Sequence, residues 1–145
     1  MIHVEATEII TATRQKVFTY IDSVEKVARL EEEIEPVRIH HKEDGAVVAE
    51  VKMKFLLWYK EGQVKFTFQP PERVIFEILE GPFKGTIESF VIEQAPEGAR
   101  ATHIMDIDLG IPLVGRLIER AASGAVKAHA QREVLRLKRA VEQAT

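Results

Sequence analysis

Between residues 46 and 59 apolar and polar side chains alternate with a period of two. Val47, Ala49, Val51, Met53, Phe55, Leu57 and Tyr59 fall on one side, and Glu50, Lys52 and Lys54 on the other. That period belongs to a strand with one dry and one wet face. The same phase recurs in Val64, Phe66 and Phe68 against Lys65 and Thr67, and in Val74, Phe76 and Ile78 against Glu77. Turn-rich stretches separate the runs: KEDG (42–45), YKEG (59–62), QPPE (69–72), GPFKG (81–85) and APEG (95–98). Such punctuation predicts an antiparallel meander. Less regular strands are expected around 86–93, with Ser89 in phase with Ile87 and Val91, and around 100–109, with His103 in phase with Ala101 and Met105. Adding 2–10 and 36–42 gives seven strands.

Helical spacing replaces alternation in three places. TRQKVFTYI (13–21) and VEKVARLEEEI (24–34) are short and meet at Asp22-Ser23, a stop and N-cap pair. The second carries Glu31, Glu32 and Glu33, read as a solvated acidic face and unlike a phosphate-facing recognition helix. The third runs from Pro112 to about Gln143, roughly 45 to 50 Å at 1.5 Å per residue. In its first half Val114, Leu117, Ile118, Ala121, Ala125 and Ala128 share a face. Continuing that face brings Arg132, Arg136 and Arg139, so the buried side must pass to Val134, Leu137 and Val141. A four-residue row through Ile118, Ala122, Val126, Ala130 and Val134 joins the two, with Gly124 near the change, and predicts a helix that bends or wraps across a curved sheet.

Composition narrows the classes of function. A chain of 145 residues suits one domain, 1–145, burying roughly 70% of its unfolded surface. MIHVEATEII has an acidic residue at position 5 and no apolar h-region, and the longest apolar run is FLLWY. Neither a signal peptide nor a membrane span is expected, and the expected compartment is the cytoplasm. The absence of Cys excludes disulfides, Cys-ligated zinc and thiol nucleophiles. Twenty basic residues against 23 acidic ones, without a basic stripe, argue against nucleic acid as a partner.

The order β, α, α, six β, long α resembles the START and Bet v 1-like (SRPBCC) superfamily. ITATRQKVFTYIDSVEKVARL is similar to the opening of its polyketide cyclase/dehydrase and coenzyme Q-binding branch, through Ile10, Ala12, Val17, Phe18, Ile21 and Asp22. PPERVIFEILEGPFKGTIESFVIE and ARATHIMDIDL resemble that branch's middle hairpins. Thr13 stands where a Pro is usual, and Leu30 with an acidic run replaces an aromatic. The resemblance implies an α+β helix-grip fold: a seven-stranded curved antiparallel sheet wrapped around the long C-terminal helix, with two short helices between strands 1 and 2. It also implies a cavity for a hydrophobic molecule such as a lipid, quinone, polyketide or aromatic.

Candidate chemistry is sparse. Neighbours in a strand point to opposite faces, so His40 and His41 cannot share an ion, and no metal or cofactor is expected. Asp106 and Asp108 fall on the outer face and read as solvated. Of the three serines, Ser23, Ser89 and Ser123, none sits in a nucleophile elbow, and GPFKG lacks the Gly-Lys-Ser/Thr of a phosphate loop. His103, Ser89, Tyr59 and His41 remain as weak proton-transfer candidates. The expected ligand wall comprises Met53, Phe55, Phe66, Phe68, Phe76, Ile78, Ser89, His103 and Met105, under a lid formed by Ile118, Ala121 and Ala125. Three functions fit: a carrier of a small hydrophobic ligand, which is favoured; a cyclase or dehydratase of the polyketide type; and an accessory subunit that holds another protein. The expected state is a monomer or homodimer.

Overall fold

The computed structural model describes residues 1–31, 34–55, 58–110 and 115–144, leaving aside the side chains of 41–43, 55, 58, 115 and 116. Its elements are β1 (Ile2–Ile10), α1 (Arg14–Phe18), α2 (Val24–Leu30), β2 (Ile34–Glu43), β3 (Ala46–Phe55), β4 (Trp58–Gln69), β5 (Arg73–Glu80), β6 (Ile87–Ala95), β7 (Gly98–Ile107) and α3 (Gly115–Gln143). The seven strands form one antiparallel sheet in the order β1-β7-β6-β5-β4-β3-β2. Consecutive hairpins build β2 through β7, and β1 closes the far edge by pairing with β7 from Ile2↔Ile107 to Ile10↔Ala99. This is the α+β helix-grip arrangement, with α3 held against β1 and β7.

The inner face carries the apolar phase of the strands. Val51, Val64, Phe66, Val74, Phe76, Phe90, Ile92 and Ala101 are fully or almost fully buried. Phe66 stacks on Phe68 and Phe76 with ring centroids 6.3 and 5.9 Å apart, and Phe76 reaches Phe90 at 6.4 Å. The short helices start where their caps dictate. Thr13 Oγ1 accepts from the Lys16 amide at 3.1 Å, and Ser23 Oγ from the Lys26 amide at 3.2 Å. Each satisfies a backbone donor that the first helical turn leaves without an intrahelical partner.

Several expectations need correction. YKEG is not a turn: Tyr59 to Gly62 lie inside β4, with Met53↔Lys60 and Val51↔Gly62 as cross-strand pairs. Gly62 is there because of crowding, since a Cβ on it would overlap Met53 Cε and stand 2.5 Å from the Glu80 carbonyl oxygen. Tyr59 consequently begins a new strand instead of ending the old one, and is 62% exposed. In β6 the phase is the reverse of that expected. Glu88, Phe90 and Ile92 face inward, while Ser89, with Ile87 and Val91, faces outward. The aromatic ring and the isoleucine outweigh the burial of one glutamate. The second helix stops at Leu30, and by Ile34, buried opposite Met53, the chain is already in β2.

The long helix is also turned from its expected orientation. Ala130, Glu133, Val134, Leu137 and Val141 are buried, with Ala122 and Val126 packed beside them. Ile118 is 45% exposed, and Ala121 and Ala125 are exposed as well. Alanines offer little apolar area to fix a helix's rotation, so Val134, Leu137 and Val141 decide it. The inner row is the four-residue one, Ala122-Val126-Ala130-Val134, which winds around the helix as it crosses the sheet. Lys127 and Lys138 reach the backbone carbonyls of Glu5 and Ile9, fastening α3 to β1. Pro112, Val114, Leu57, Glu32 and Glu33 lie outside the described residues.

Candidate functional site

A cavity of about 500 Å³ lies between the inner face of the sheet and the first half of α3. Met53, Ile78, Met105, Ile107 and Leu109 give it an apolar wall from β3, β5 and the end of β7. Pro82, Phe83 and Thr86 of the GPFKG turn and its exit close one side. Phe83 holds a left-handed backbone, φ 62°, which a bulky residue rarely adopts and which costs about 1 to 2 kcal/mol. The helix contributes Ala125, Val126, His129 and Arg132.

Charged side chains form the inner end of this cavity. Glu31 follows α2, Glu88 lies on β6, His103 on β7 and Glu133 on α3, and all four are buried. Each element places its residue for a local reason. The Glu31 amide donates to the Val27 carbonyl as the helix ends, and Arg136 donates to the Leu30 carbonyl, tying that end to α3. Glu88 sits directly opposite Phe76 and Met105 on the inner face. His103 pairs across the strands with Phe90, their rings stacked 4.3 Å apart at 10°. Glu133 occupies the buried side of α3 between Ala130 and Leu137, one turn beyond His129, whose Nε2 contacts its carboxylate.

The four converge tightly. His103 Nε2 is 3.3 Å from Glu88 Oε1 and 3.8 Å from Glu31 Oε1, while Nδ1 is 3.9 Å from Glu133 Oε2. One donor atom from each residue can be chosen so that all four lie within 4.8 Å of one another. Among the described residues neither ring nitrogen of His103 makes a hydrogen bond, nor does Oε1 of Glu31 or of Glu88. The Glu31 carboxyl is pushed well above the usual carboxylate range, first by burial, then by the negative charges of Glu88 and Glu133, and then by a side-chain hydrogen bond with Glu133.

Of the residues expected to form a ligand wall, Met53, Ile78, Met105 and Ala125 line this cavity. Phe66 and Phe76 are buried core beneath it, and half-buried Phe68 packs against them. His103 stands behind the lining as part of the charged cluster. Ser89 lies on the opposite face of the sheet, and Ile118, Ala121 and Tyr59 are exposed away from it. The side chains of Phe55 and His41 lie outside those described. His40 is an edge residue 2.9 Å from Glu50, and Asp106 bonds to His3 on the outer face. Sequence reasoning missed Glu31, Glu88 and Glu133. The available signals were Glu88 in phase with Phe90 and Ile92, and Glu133 at helical spacing from Ala130 and Leu137.

A family model described as polyketide cyclase / dehydrase and lipid transport matches residues 1–142. No curated protein sequence matches the chain. Similar solved structures include TTHA0849 of Thermus thermophilus, 18% identical with a TM-score of 0.79, covering 99% of each chain. The ZhuI aromatase/cyclase of Streptomyces sp. R1128 is 15% identical with a TM-score of 0.72, covering 97% of this chain and 93% of that one. The di-domain aromatase/cyclase StfQ of the steffimycin biosynthetic pathway is 10% identical with a TM-score of 0.79, and this chain spans 52% of its length. At these identities the likeness establishes the fold. No helix among the described residues is long and apolar enough to cross a membrane.

Proposed function

The chain belongs to the polyketide cyclase/dehydrase and lipid transport family, and we propose that it is a single ligand-binding domain that takes a small, largely apolar molecule between sheet and α3. The observation that carries this reading is the cavity of about 500 Å³, walled by Met53, Ile78, Met105, Ile107 and Leu109. Small-molecule sites of this kind typically span about 300 to 1,000 Å³ and combine apolar walls with a few polar groups. Here Glu31, Glu88 and His129 line the space beside the buried charged cluster, and Thr86, Lys54 and Arg132 complete its polar lining. The fitting ligand therefore has an apolar body and one oxygen-bearing end.

That cluster favours cyclase or dehydratase chemistry as the second reading. An imidazole and two carboxylates beside a bound chain supply the proton donors and acceptors that enolisation and loss of water require, and the family description and the aromatase/cyclase neighbours support it. Native mass spectrometry of freshly purified protein, followed by extraction, identifies any co-purified molecule. A fluorescent apolar probe should bind one to one, and Ala125→Trp, which adds bulk at the exposed cavity rim, should weaken it at least about tenfold. Equal probe affinity in the Ala125→Trp variant would remove the cavity reading. An active Glu88→Gln variant would remove the catalytic one.

A further inference from the structure

We propose that Glu31, Glu88 and Nε2 of His103 bind a divalent first-row transition metal ion at the inner end of the cavity, with Glu133 orienting the imidazole from its other nitrogen. Donor geometry is the first argument. Metal–oxygen and metal–nitrogen bonds of about 2.0 to 2.2 Å place neighbouring donors about 3.3 to 3.6 Å apart around a tetrahedral ion. His103 Nε2 stands 3.3 Å from Glu88 Oε1 and 3.8 Å from Glu31 Oε1. These two separations are close to that spacing, and one donor atom from each of the four residues lies within 4.8 Å of the others, so contraction of the cluster would bring three donors around an ion.

The second argument is independent of the acidic cluster itself. His103 is fully buried and aimed into the carboxylates, yet neither of its ring nitrogens has a hydrogen-bond partner among the described residues. Buried polar atoms of folded proteins nearly always have partners, and a site that leaves an imidazole and two carboxylate oxygens without one is a site built for something else. Direct pairing of the ring with Glu88 would satisfy one nitrogen only. An ion accepts lone pairs from the imidazole and both carboxylates together.

Donor chemistry narrows the choice of ion. One imidazole with carboxylates suits Zn²⁺, Mn²⁺ or Fe²⁺, whereas Ca²⁺ and Mg²⁺ prefer oxygen alone, and the absence of Cys removes the thiolate sites of softer ions. Charge agrees: two carboxylates balance a doubly charged ion, while Glu133 is in contact with His129. Glu133 Oε2 lies 3.9 Å from Nδ1, outside hydrogen-bond range but on the side of the ring from which a carboxylate, closing by about 1 Å, would fix the tautomer of a metal-bound histidine. Because Glu31 and Glu88 also line the cavity, the unfilled coordination positions face it. The ion would therefore meet the oxygen-bearing end of a bound molecule.

The test uses full-length protein stripped with EDTA and titrated with Zn²⁺ and with Mn²⁺ by calorimetry, with metal content measured after dialysis. One ion per chain should bind with a Kd below about 10 μM and with release of protons. Glu31→Gln and Glu88→Gln keep the side-chain shape and should each weaken binding at least about a hundredfold, with circular dichroism unchanged. Glu133→Gln should weaken it by about tenfold to a hundredfold, in line with an outer-shell carboxylate. His3→Gln controls for the exposed His3, Glu5 and Asp106 group and should leave affinity unaltered. Failure of the parent protein to bind either ion one to one would overturn the proposal. So would wild-type affinity in folded Glu31→Gln and Glu88→Gln variants. No apolar ligand is needed in this experiment, so its failure would leave the cavity reading intact.

Discussion

Removing a charge from the centre of this protein should make the metal-free form more stable. Glu31, Glu88 and Glu133 place carboxylate oxygens within 4.8 Å of one another, away from water. Two unit charges at that distance repel by about 3 to 4 kcal/mol at an effective dielectric constant of about 20. The raised pKa of Glu31 relieves part of this repulsion by favouring its neutral form, and His103 offsets another part. Glu31→Gln should therefore stabilise the EDTA-treated protein at pH 7.5 by about 1 to 3 kcal/mol, less than the full repulsion. With an unfolding entropy of about 2.1 cal/mol/K per residue, that is a rise of roughly 3 to 10 °C in Tm.

The effect should depend on pH with a definite sign. Glu31 has a raised pKa in the fold, so above its unfolded value of 4.5 the unfolded chain binds fewer protons than the folded one. Wild-type stability then falls as pH rises, and the advantage of the Gln variant opens over the same interval and closes below pH 4.5. The groups facing Glu31 are Glu88 on β6, His103 on β7, and Glu133 with His129 on α3. Thermal melts at pH 4, 6 and 7.5 read all of this. Lower Tm for Glu31→Gln at pH 7.5, or an advantage that ignores pH, would refute the repulsion argument.

Other outcomes follow from packing and charge. Phe66→Ala empties the centre of the aromatic stack and should cost about 3 to 5 kcal/mol, read as a Tm lowered by roughly 10 to 15 °C. Gly62→Ala should cost about 1 to 3 kcal/mol, because the new Cβ meets the Glu80 carbonyl, whereas Gly124→Ala meets nothing within 4 Å and should gain about 0.5 to 1 kcal/mol in denaturant melts. The His3 imidazole is held above its usual pKa of 6.5 by hydrogen bonds to Asp106 first and Glu5 second. NMR titration should show that elevation, and Asp106→Asn should remove most of it.

Where side-chain polarity agreed with burial, the fold was legible. Val64, Phe66 and Phe68 and then Val74, Phe76 and Ile78 gave their strands the right phase, and Ser23 marked the start of α2. Where a charged residue is buried, the same rule pointed the wrong way. Glu88 made the inner phase of β6 look like the outer one, which carried Ser89 to the wrong face. Glu31 sat in an acidic run and read as solvated, although it is buried just past the end of α2. Glu133 is separated by 30 residues or more from the other three and was invisible as a partner. Local periodicity measures preference for water. A cluster assembled from four elements is specified by their mutual packing, which no short window contains.

The order of strands in the sheet also sets an order in time. From β2 to β7 each strand pairs with the next, so these contacts close short loops, whereas β1 waits for β7, a partner about 100 residues away along the chain. Long closures carry a larger entropic cost than hairpins and slow folding. The meander can therefore assemble before its first strand is seated and before α3 arrives with Glu133. Glu31, Glu88 and His103 meet only when the connection from β1 across to β2 has been drawn over the sheet. An ion bound at that cluster would thus read out completion, acting as a late clasp on a finished molecule and not as a seed for its assembly.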